Sequence, residues 1–267
     1  MKKNNTISYY LNPQEVEVIS RLTYEKTTVI TVSQFDRYFK LPPEVRNKLL
    51  WKLKKKGILG SIKKGMYFFS PLENGPAGRN INEWLIPSAL FSKKNYYVGY
   101  STMYNYYGFT DQIFQQMFII NTSTQSDRKI GKIQFRLIKV SQDRMYGLQA
   151  IKLKDSEVIV SDKERTLVDM IYYTKPVGGL KTALEILENQ VKAKSVDLKK
   201  LIKYASLFPI ITARKRLGFI MDKSGIGQDE LKPLLKTVKG TALTTLYDTK
   251  SRRGKIDKRW GIIENAS

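Results

Sequence analysis

Apolar positions in the first third of the chain recur at helical spacing, interrupted by one short β-branched run. Pro13 is followed by Val16, Ile19 and Leu22, an apolar residue every third position. This predicts a helix opening at the proline, where a missing N–H costs little. Val29-Ile30-Thr31-Val32 predicts a short strand. Ser33-Gln34-Phe35-Asp36 reads as the start of a second helix, with Ser33 as its cap and Asp36 three residues on, burying Phe35 and Phe39. After a turn at Lys40-Leu41, Pro42 and Pro43 open a third helix that runs to about Lys56. Val45, Leu49 and Leu53 fall at i, i+4 and i+8, Leu50 widens the stripe, and Gly57 closes the helix.

The face opposite that stripe holds Glu44, Asn47, Lys48, Trp51, Lys54 and Lys55, with Arg46 on the flank. Asn can pair with adenine and Lys with guanine in the major groove, so the helix is a candidate recognition helix. A surface helix with solvated lysines has the same pattern. Two short apolar runs follow, Ile58 to Ile62 and Met66 to Phe69, separated by Lys63-Lys64-Gly65. They predict a hairpin with a basic tip suited to lie along phosphate. Helix, short helix, basic helix and basic hairpin, in that order, predict a winged helix-turn-helix over residues 1–73. Its expected DNA contacts are Arg46, Asn47, Lys48, Trp51, Lys54, Lys55, Lys63 and Lys64.

Residues 73–80 contain Gly75-Pro76 and Gly78 with no apolar anchor, which predicts a linker at 74–80. Residues 81–267 read as a larger mixed α/β domain, so the expected fold class is α+β. Asn82 to Phe91 is apolar on one face. Strands are expected at Met117 to Ile120, Ile133 to Leu137, Ala150 to Leu153 and Val158 to Val160. Ser161 with Glu164 predicts a capping box opening a helix to Tyr172, with Arg165 and Asp169 pairing at i, i+4 on its surface. Further helices are expected at about 179–192, 197–206, 210–223 and 228–238, and a strand-like stretch at 259–263.

Charge then narrows the partners. The 267 residues include 47 Lys and Arg against 24 Asp and Glu, a net charge of +23. A field of that sign draws polyanions. No apolar run of about 18 residues occurs and Met1 to Tyr10 lacks a signal-peptide core, so a cytoplasmic protein with no membrane partner is expected. There is no Cys and no His. That excludes thiol catalysis, a Ser-His-Asp triad and zinc held by those ligands. No catalytic residue, metal or cofactor is expected. The enzyme alternative is a Mg²⁺-dependent nuclease using Asp155, Glu157, Asp162 and Glu164. It lacks the Glu-x-Lys expected on the second of two paired strands. The other alternative is a non-catalytic RNA-binding protein.

Several stretches of the second part together resemble one family. Trp84-Leu85-Ile86, Ala89-Leu90-Phe91, Tyr96 to Ser101 and Tyr107-Gly108-Phe109-Thr110-Asp111-Gln112-Ile113 are followed by Asp162-Lys163-Glu164-Arg165-Thr166-Leu167-Val168-Asp169, Gly178-Gly179, Arg216-Leu217-Gly218 and Arg259-Trp260-Gly261. In this order they resemble the AbiEi-type antitoxins of abortive-infection toxin–antitoxin systems. The chain departs from the pattern at Thr102-Met103, where members often carry Ala-Leu, and at Tyr107, where many carry His. The resemblance implies an antiviral-defence antitoxin and transcriptional repressor. Its N-terminal domain would bind operator duplex DNA, in repeats, and repress its own operon. Its C-terminal domain would neutralise a nucleotidyltransferase-like toxin, directly or indirectly. Candidates in that domain are Ser101, a helix cap or contact residue; Arg165; and Arg214, Lys215 and Arg216, a basic cluster that could meet DNA or toxin or be a solvated helix face. Tyr96, Tyr97, Tyr100, Tyr104, Tyr106 and Tyr107 are read as core aromatics or, if exposed, as stacking platforms.

Overall fold

The computed structural model describes residues 10–71, 82–91, 95–131, 133–153, 156–249 and 251–265, and for Leu153 and Ser156 the backbone alone. The expected linker at 74–80 lies outside them. The chain is a mixed α+β protein that divides into two units: residues 1–92 with 129–133, and residues 93–128 with 134–267.

In the first unit, α1 (Pro13–Tyr24) begins with a capping box. Asn12 Oδ1 accepts the Glu15 N–H, and Glu15 Oε2 accepts the Asn12 N–H, both at 2.9 Å. The inward stripe is Glu15, Val18, Ile19 and Leu22. Val16, expected inside, is 46% exposed. Strand β1 (Val29–Thr31) leads straight into α2 (Val32–Phe39). The cap of α2 is Thr31, not Ser33. Thr31-Val-Ser-Gln34 has the S/T-x-x-Q spacing: Gln34 N–H donates to Thr31 Oγ1, and Thr31 N–H to Gln34 Oε1. Next come α3 (Pro43–Lys55), β2 (Leu59–Lys63) and β3 (Met66–Phe69). The strands form an antiparallel sheet in the order β1-β3-β2. Leu22, Ile30, Phe35, Leu49, Leu53 and Phe69 are among the residues of the core between sheet and helices. A short helix, α4 (Leu85–Leu90), packs against β2.

The second unit is built on a mixed six-stranded sheet. Its strands are β4 (Tyr96–Gly99), β5 (Gln116–Asn121), β6 (Ser126–Ile130), β7 (Ile133–Lys139), β8 (Leu148–Leu153) and β9 (Ser156–Ser161), in the order β6-β7-β5-β4-β9-β8. β5 pairs parallel with β7 and antiparallel with β4, and β4 pairs parallel with β9. Helix α5 (Ser101–Tyr106) follows β4. Helices α6 (Lys163–Tyr172), α7 (Leu180–Lys192), α8 (Leu198–Leu207), α9 (Ile211–Lys223) and α10 (Gln228–Lys236) come next. A small sheet of β10 (Thr244–Thr245), β11 (Gly254–Asp257) and β12 (Ile262–Asn265) ends the chain, ordered β10-β12-β11. Helix α9 packs against α6, α7, α8, α10 and β12, so the hydrophobic core of this unit centres on it.

Helix α6 starts one residue from where the spacing predicts. Asp162, not Ser161, is the cap, accepting the Arg165 N–H at 2.8 Å. Ser161 ends β9, and its hydroxyl shares a hydrogen bond with Thr166 Oγ1. Among the described residues, no helix is long and apolar enough to cross a membrane.

Candidate nucleic-acid interface

Helix α3 is held at both ends by local chemistry. Pro42 precedes it in extended conformation and Pro43 takes its first position. At the other end Gly57 adopts φ +76°, a left-handed conformation natural to glycine. Gly57 N–H then donates to Lys54 O at 3.0 Å and Ile58 N–H to Leu53 O at 2.9 Å, satisfying two orphan carbonyls. Leu49, Leu50 and Leu53 are buried. Glu44, Asn47, Lys48, Trp51, Lys54 and Lys55 are all exposed, as the helical count predicts. Val45 is not part of the buried stripe: it is 39% exposed. Arg46 takes the inward place in that turn.

The Arg46 guanidinium meets Asp36 of α2 at 2.8 Å. Its Nε and Nη2 also donate to Asn47 Oδ1, at 3.2 and 3.1 Å. Arg46 is thereby a bracket between α2 and α3. The Asn47 carbonyl oxygen is occupied, so its amide group is the donor it presents outward. Reading adenine through both Asn47 atoms requires this oxygen to be shared with, or released from, Arg46.

The cations differ in their freedom. Lys54 Nζ sits 5.9 Å from the Tyr67 ring centroid on β3, which sets the C-terminal half of α3 beside the hairpin. Lys55 Nζ lies 5.2 Å from the ring of Trp51, which is 58% exposed. The pair forms an outward stack of cation on indole. At the hairpin turn Gly65 has φ +73°, and its carbonyl accepts the Val32 N–H at 2.9 Å. Lys64 is exposed there. Lys63 is different: it ends β2, is half-buried, and its ammonium donates to the Leu90 carbonyl at the end of α4.

Beneath α3, Lys56 pairs with the buried carboxylate of Glu15 at 2.5 Å. Burial pushes the Glu15 pKa up. The hydrogen bonds from Lys56 and Asn12, with the charges of Lys56 and Lys52, outweigh that and hold it below the usual carboxylate value.

The candidates of the second unit are structural in their placement. Ser101 is fully buried at the start of α5. Arg165 and Asp169 are not a surface pair: both side chains are fully buried, 3.1 Å apart. Arg165 also donates to the Tyr97 hydroxyl at 3.1 Å and lies 4.2 Å over the Tyr146 ring. Burial pushes the Tyr97 hydroxyl pKa far up and that of Tyr146 up to about 12, so both stay protonated donors. Tyr96, Tyr97, Tyr100 and Tyr104 are buried core aromatics, Tyr107 is half-buried, and Tyr106 is 45% exposed.

The basic cluster on α9 is neither a solvated face nor an open polyanion site. Arg214 donates to the Phe208 and Thr237 carbonyls. Lys215 is 1% exposed and donates to the carbonyls of Thr241, Ala242 and Gly261. Burial pushes its ammonium pKa down. Arg216 donates to the Thr245 carbonyl and to Asp248 at 2.6 Å. These three cations tie α9 to the segments around it.

Two of the acidic residues weighed for a nuclease, Asp162 and Glu164, have other partners. Asp162 caps α6 and accepts the Tyr204 hydroxyl at 3.0 Å; burial raises its pKa. Glu164 accepts the Asp197 N–H at 2.8 Å. Glu157 is exposed on β9, and Asp155 lies outside the described residues. Among the described residues, no group of three or more acidic side chains converges as a metal site would require.

No family model and no curated protein matches this chain. Its fold is similar to that of solved structures, among them the crystal structure of the RV2827C protein from Mycobacterium tuberculosis. That likeness has a TM-score of 0.65 at 14% identity and covers 96% of this chain and 92% of the other. It extends over both units and concerns the fold alone.

Proposed function

We propose that this protein is a DNA-binding transcriptional regulator whose first unit is a winged helix-turn-helix, with α3 as the recognition helix and the β2–β3 hairpin as the wing. The observation that carries this reading is the exposed face of α3. Asn47, Lys48, Trp51, Lys54 and Lys55 stand outward together on a helix whose opposite side is locked into the core. Element order supports it too: helix, strand, two helices and an antiparallel hairpin that adds to the first strand. The net charge of +23 suits a polyanionic partner.

The resemblance to AbiEi-type antitoxins, carried by stretches from Trp84 to Gly261, extends the proposal. The protein represses its own operon by binding repeats in operator duplex DNA, and its second unit neutralises a nucleotidyltransferase-like toxin. Arg165, Lys215 and Arg216 are buried, which favours a role in holding that unit together and a working surface elsewhere.

The test is fluorescence anisotropy of the full chain against duplex DNA from its own promoter, random duplex, single strands and duplex RNA over a salt series. Promoter duplex bound well above the other three supports the proposal. Equal or tighter binding to RNA overturns it in favour of an RNA-binding protein. Mg²⁺-dependent cleavage of any of these substrates overturns it in favour of a nuclease.

A further inference from the structure

Away from α3, helices α8 and α10 bound an open groove of about 520 Å³ within the second unit. Its apolar lining is the buried Ile202 and the half-exposed Leu207 of α8 with the exposed Pro233 of α10. Its two rims carry opposite charge. Lys199 and Lys203 line the α8 side; Asp229 and Glu230 line the α10 side. That acidic rim stands out in a chain where basic residues outnumber acidic ones 47 to 24.

Lys199, Lys203 and Leu207 are spaced four apart on α8, so they form one ridge along that helix. All three are exposed, Leu207 by half. The ridge thus offers two cationic heads on apolar stems and then a leucine. The groove beside it offers a carboxylate wall and apolar lining. The ridge is the complement of the groove it borders.

We infer that a second copy of this chain docks here, the two grooves facing each other so that the α8 rim of each copy lies on the α10 rim of the other. A two-fold axis running along the groove brings the lysine rim of one copy against the acidic rim of its partner, and the reverse, in a self-complementary contact. Leu207 of each copy then meets the apolar lining of the other. Asp229 is 95% exposed and pairs with Lys232 at 3.1 Å, a surface pair of the kind that exchanges at little cost. Pro233 adds a second docking feature. It has no N–H, so the Asp229 carbonyl lacks the helical donor it would otherwise have and can accept one from a partner lysine.

The contact is small, which places it in the weak class and opposes it to the mutual repulsion of two cationic chains. It gives a repressor the means to engage paired DNA sites together, yet it rests on none of the DNA reading, and its test contains no nucleic acid.

The experiment is sedimentation velocity of the full chain at about 100 µM, a concentration at which a micromolar interface is populated. The wild type is expected to sediment partly as a dimer. Lys199→Glu with Lys203→Glu makes both rims acidic. Asp229→Lys with Glu230→Lys makes both basic. Each double variant alone is expected to lose at least about tenfold in self-association, one decade of dissociation constant. An equimolar mixture of the two is expected to recover it as a heterodimer, and the fourfold variant with exchanged rims as a homodimer. Recovery in those two samples also shows that the substituted chains are folded. A wild type that stays monomeric, or a mixture that does not associate, overturns the inference. Double variants that dimerise like the wild type place any dimer contact elsewhere and overturn it equally.

Discussion

The ring of Trp260 occupies the space where a side chain on Gly218 would begin. A Cβ built on Gly218 falls 2.0 Å from the indole Cζ3, far inside contact distance. The indole cannot retreat freely: it is 1% exposed, and its Nε1 donates to Asp222 Oδ2 at 2.8 Å. The Arg216-Leu217-Gly218 and Arg259-Trp260-Gly261 stretches are therefore two sides of one contact, with Lys215 bonding the Gly261 carbonyl beside it.

Gly218→Ala is expected to destabilise the second unit by about 3 kcal/mol, the upper end of ordinary overpacking. Thermal unfolding followed by circular dichroism should show a fall of roughly 6–12 °C. A change under 2 °C would mean that α9 and the indole separate easily, against the burial described here.

The same contact shows what was legible in the chain. Helices α7 to α10 are long and periodic, and their observed bounds lie within two residues of those the apolar spacing predicts. Strand β4 is buried at all four positions, so it shows no alternation, and β6 and β11 are short and charged. None of the three carries a pattern to read. Arg165 and Asp169 have the i, i+4 spacing of a surface pair. Their burial is decided by Tyr97, Tyr146 and Phe208, which come from distant parts of the chain. Arg214 to Arg216 likewise read as free charge until the carbonyls of residues 237–261 are in place. On α3 the exposed face was readable because a helix's own geometry sets it. The Lys63 contact cannot be read from its neighbours, because its partner, the Leu90 carbonyl, lies 27 residues away.

Glu15 makes the stability of the first unit depend on acid. Its folded pKa lies below its ordinary value of 4.5, so the unfolded chain takes up its proton first as pH falls. The stabilisation is complete above about pH 5.5, a unit over the unfolded pKa, and is lost as pH drops through the folded one. Glu15→Gln is expected to cost about 1–3 kcal/mol at pH 7, because it removes the buried charge that pairs with Lys56 and leaves that ammonium only the Tyr10 carbonyl. The gap between variant and wild type should narrow steadily below about pH 4.5 in urea unfolding. A gap independent of pH would show that ionisation of Glu15 contributes nothing to the loss, since glutamine keeps an acceptor for the Asn12 N–H.

If α3 reads bases, Asn47 has the donor and acceptor that adenine requires. Asn47→Ala is then expected to cost about 1–3 kcal/mol on promoter duplex and little on random duplex. Asp36→Asn frees the Arg46 guanidinium that holds Asn47 Oδ1, so it should narrow the ratio of promoter to random affinity while leaving contacts to phosphate intact. Anisotropy titrations on both duplexes measure the two ratios. Equal losses on both by Asn47→Ala would leave Asn47 a positioning role only.

Lys63 and Lys64 adjoin in sequence and should separate in a salt series. Lys64 is exposed at the hairpin turn, whereas the Lys63 ammonium is bonded to the Leu90 carbonyl at 3.2 Å. A wing laid along the duplex brings Lys64 to phosphate, and each such contact contributes about 0.9 to the slope of log affinity against log salt. Lys64→Ala is therefore expected to flatten the slope by about one unit and weaken promoter and random duplex alike. Lys63→Ala removes no free cation. It should leave the slope unchanged and instead lower the thermal midpoint, by an amount matching one lost hydrogen bond to a charged group, about 1.5–3 kcal/mol. Measuring slope and midpoint on both variants tests the wing and the Lys63 contact together. If Lys63→Ala flattens the slope, its ammonium leaves Leu90 for phosphate on binding. If Lys64→Ala changes neither slope nor affinity, the hairpin does not touch DNA, and α3 alone must carry the interface.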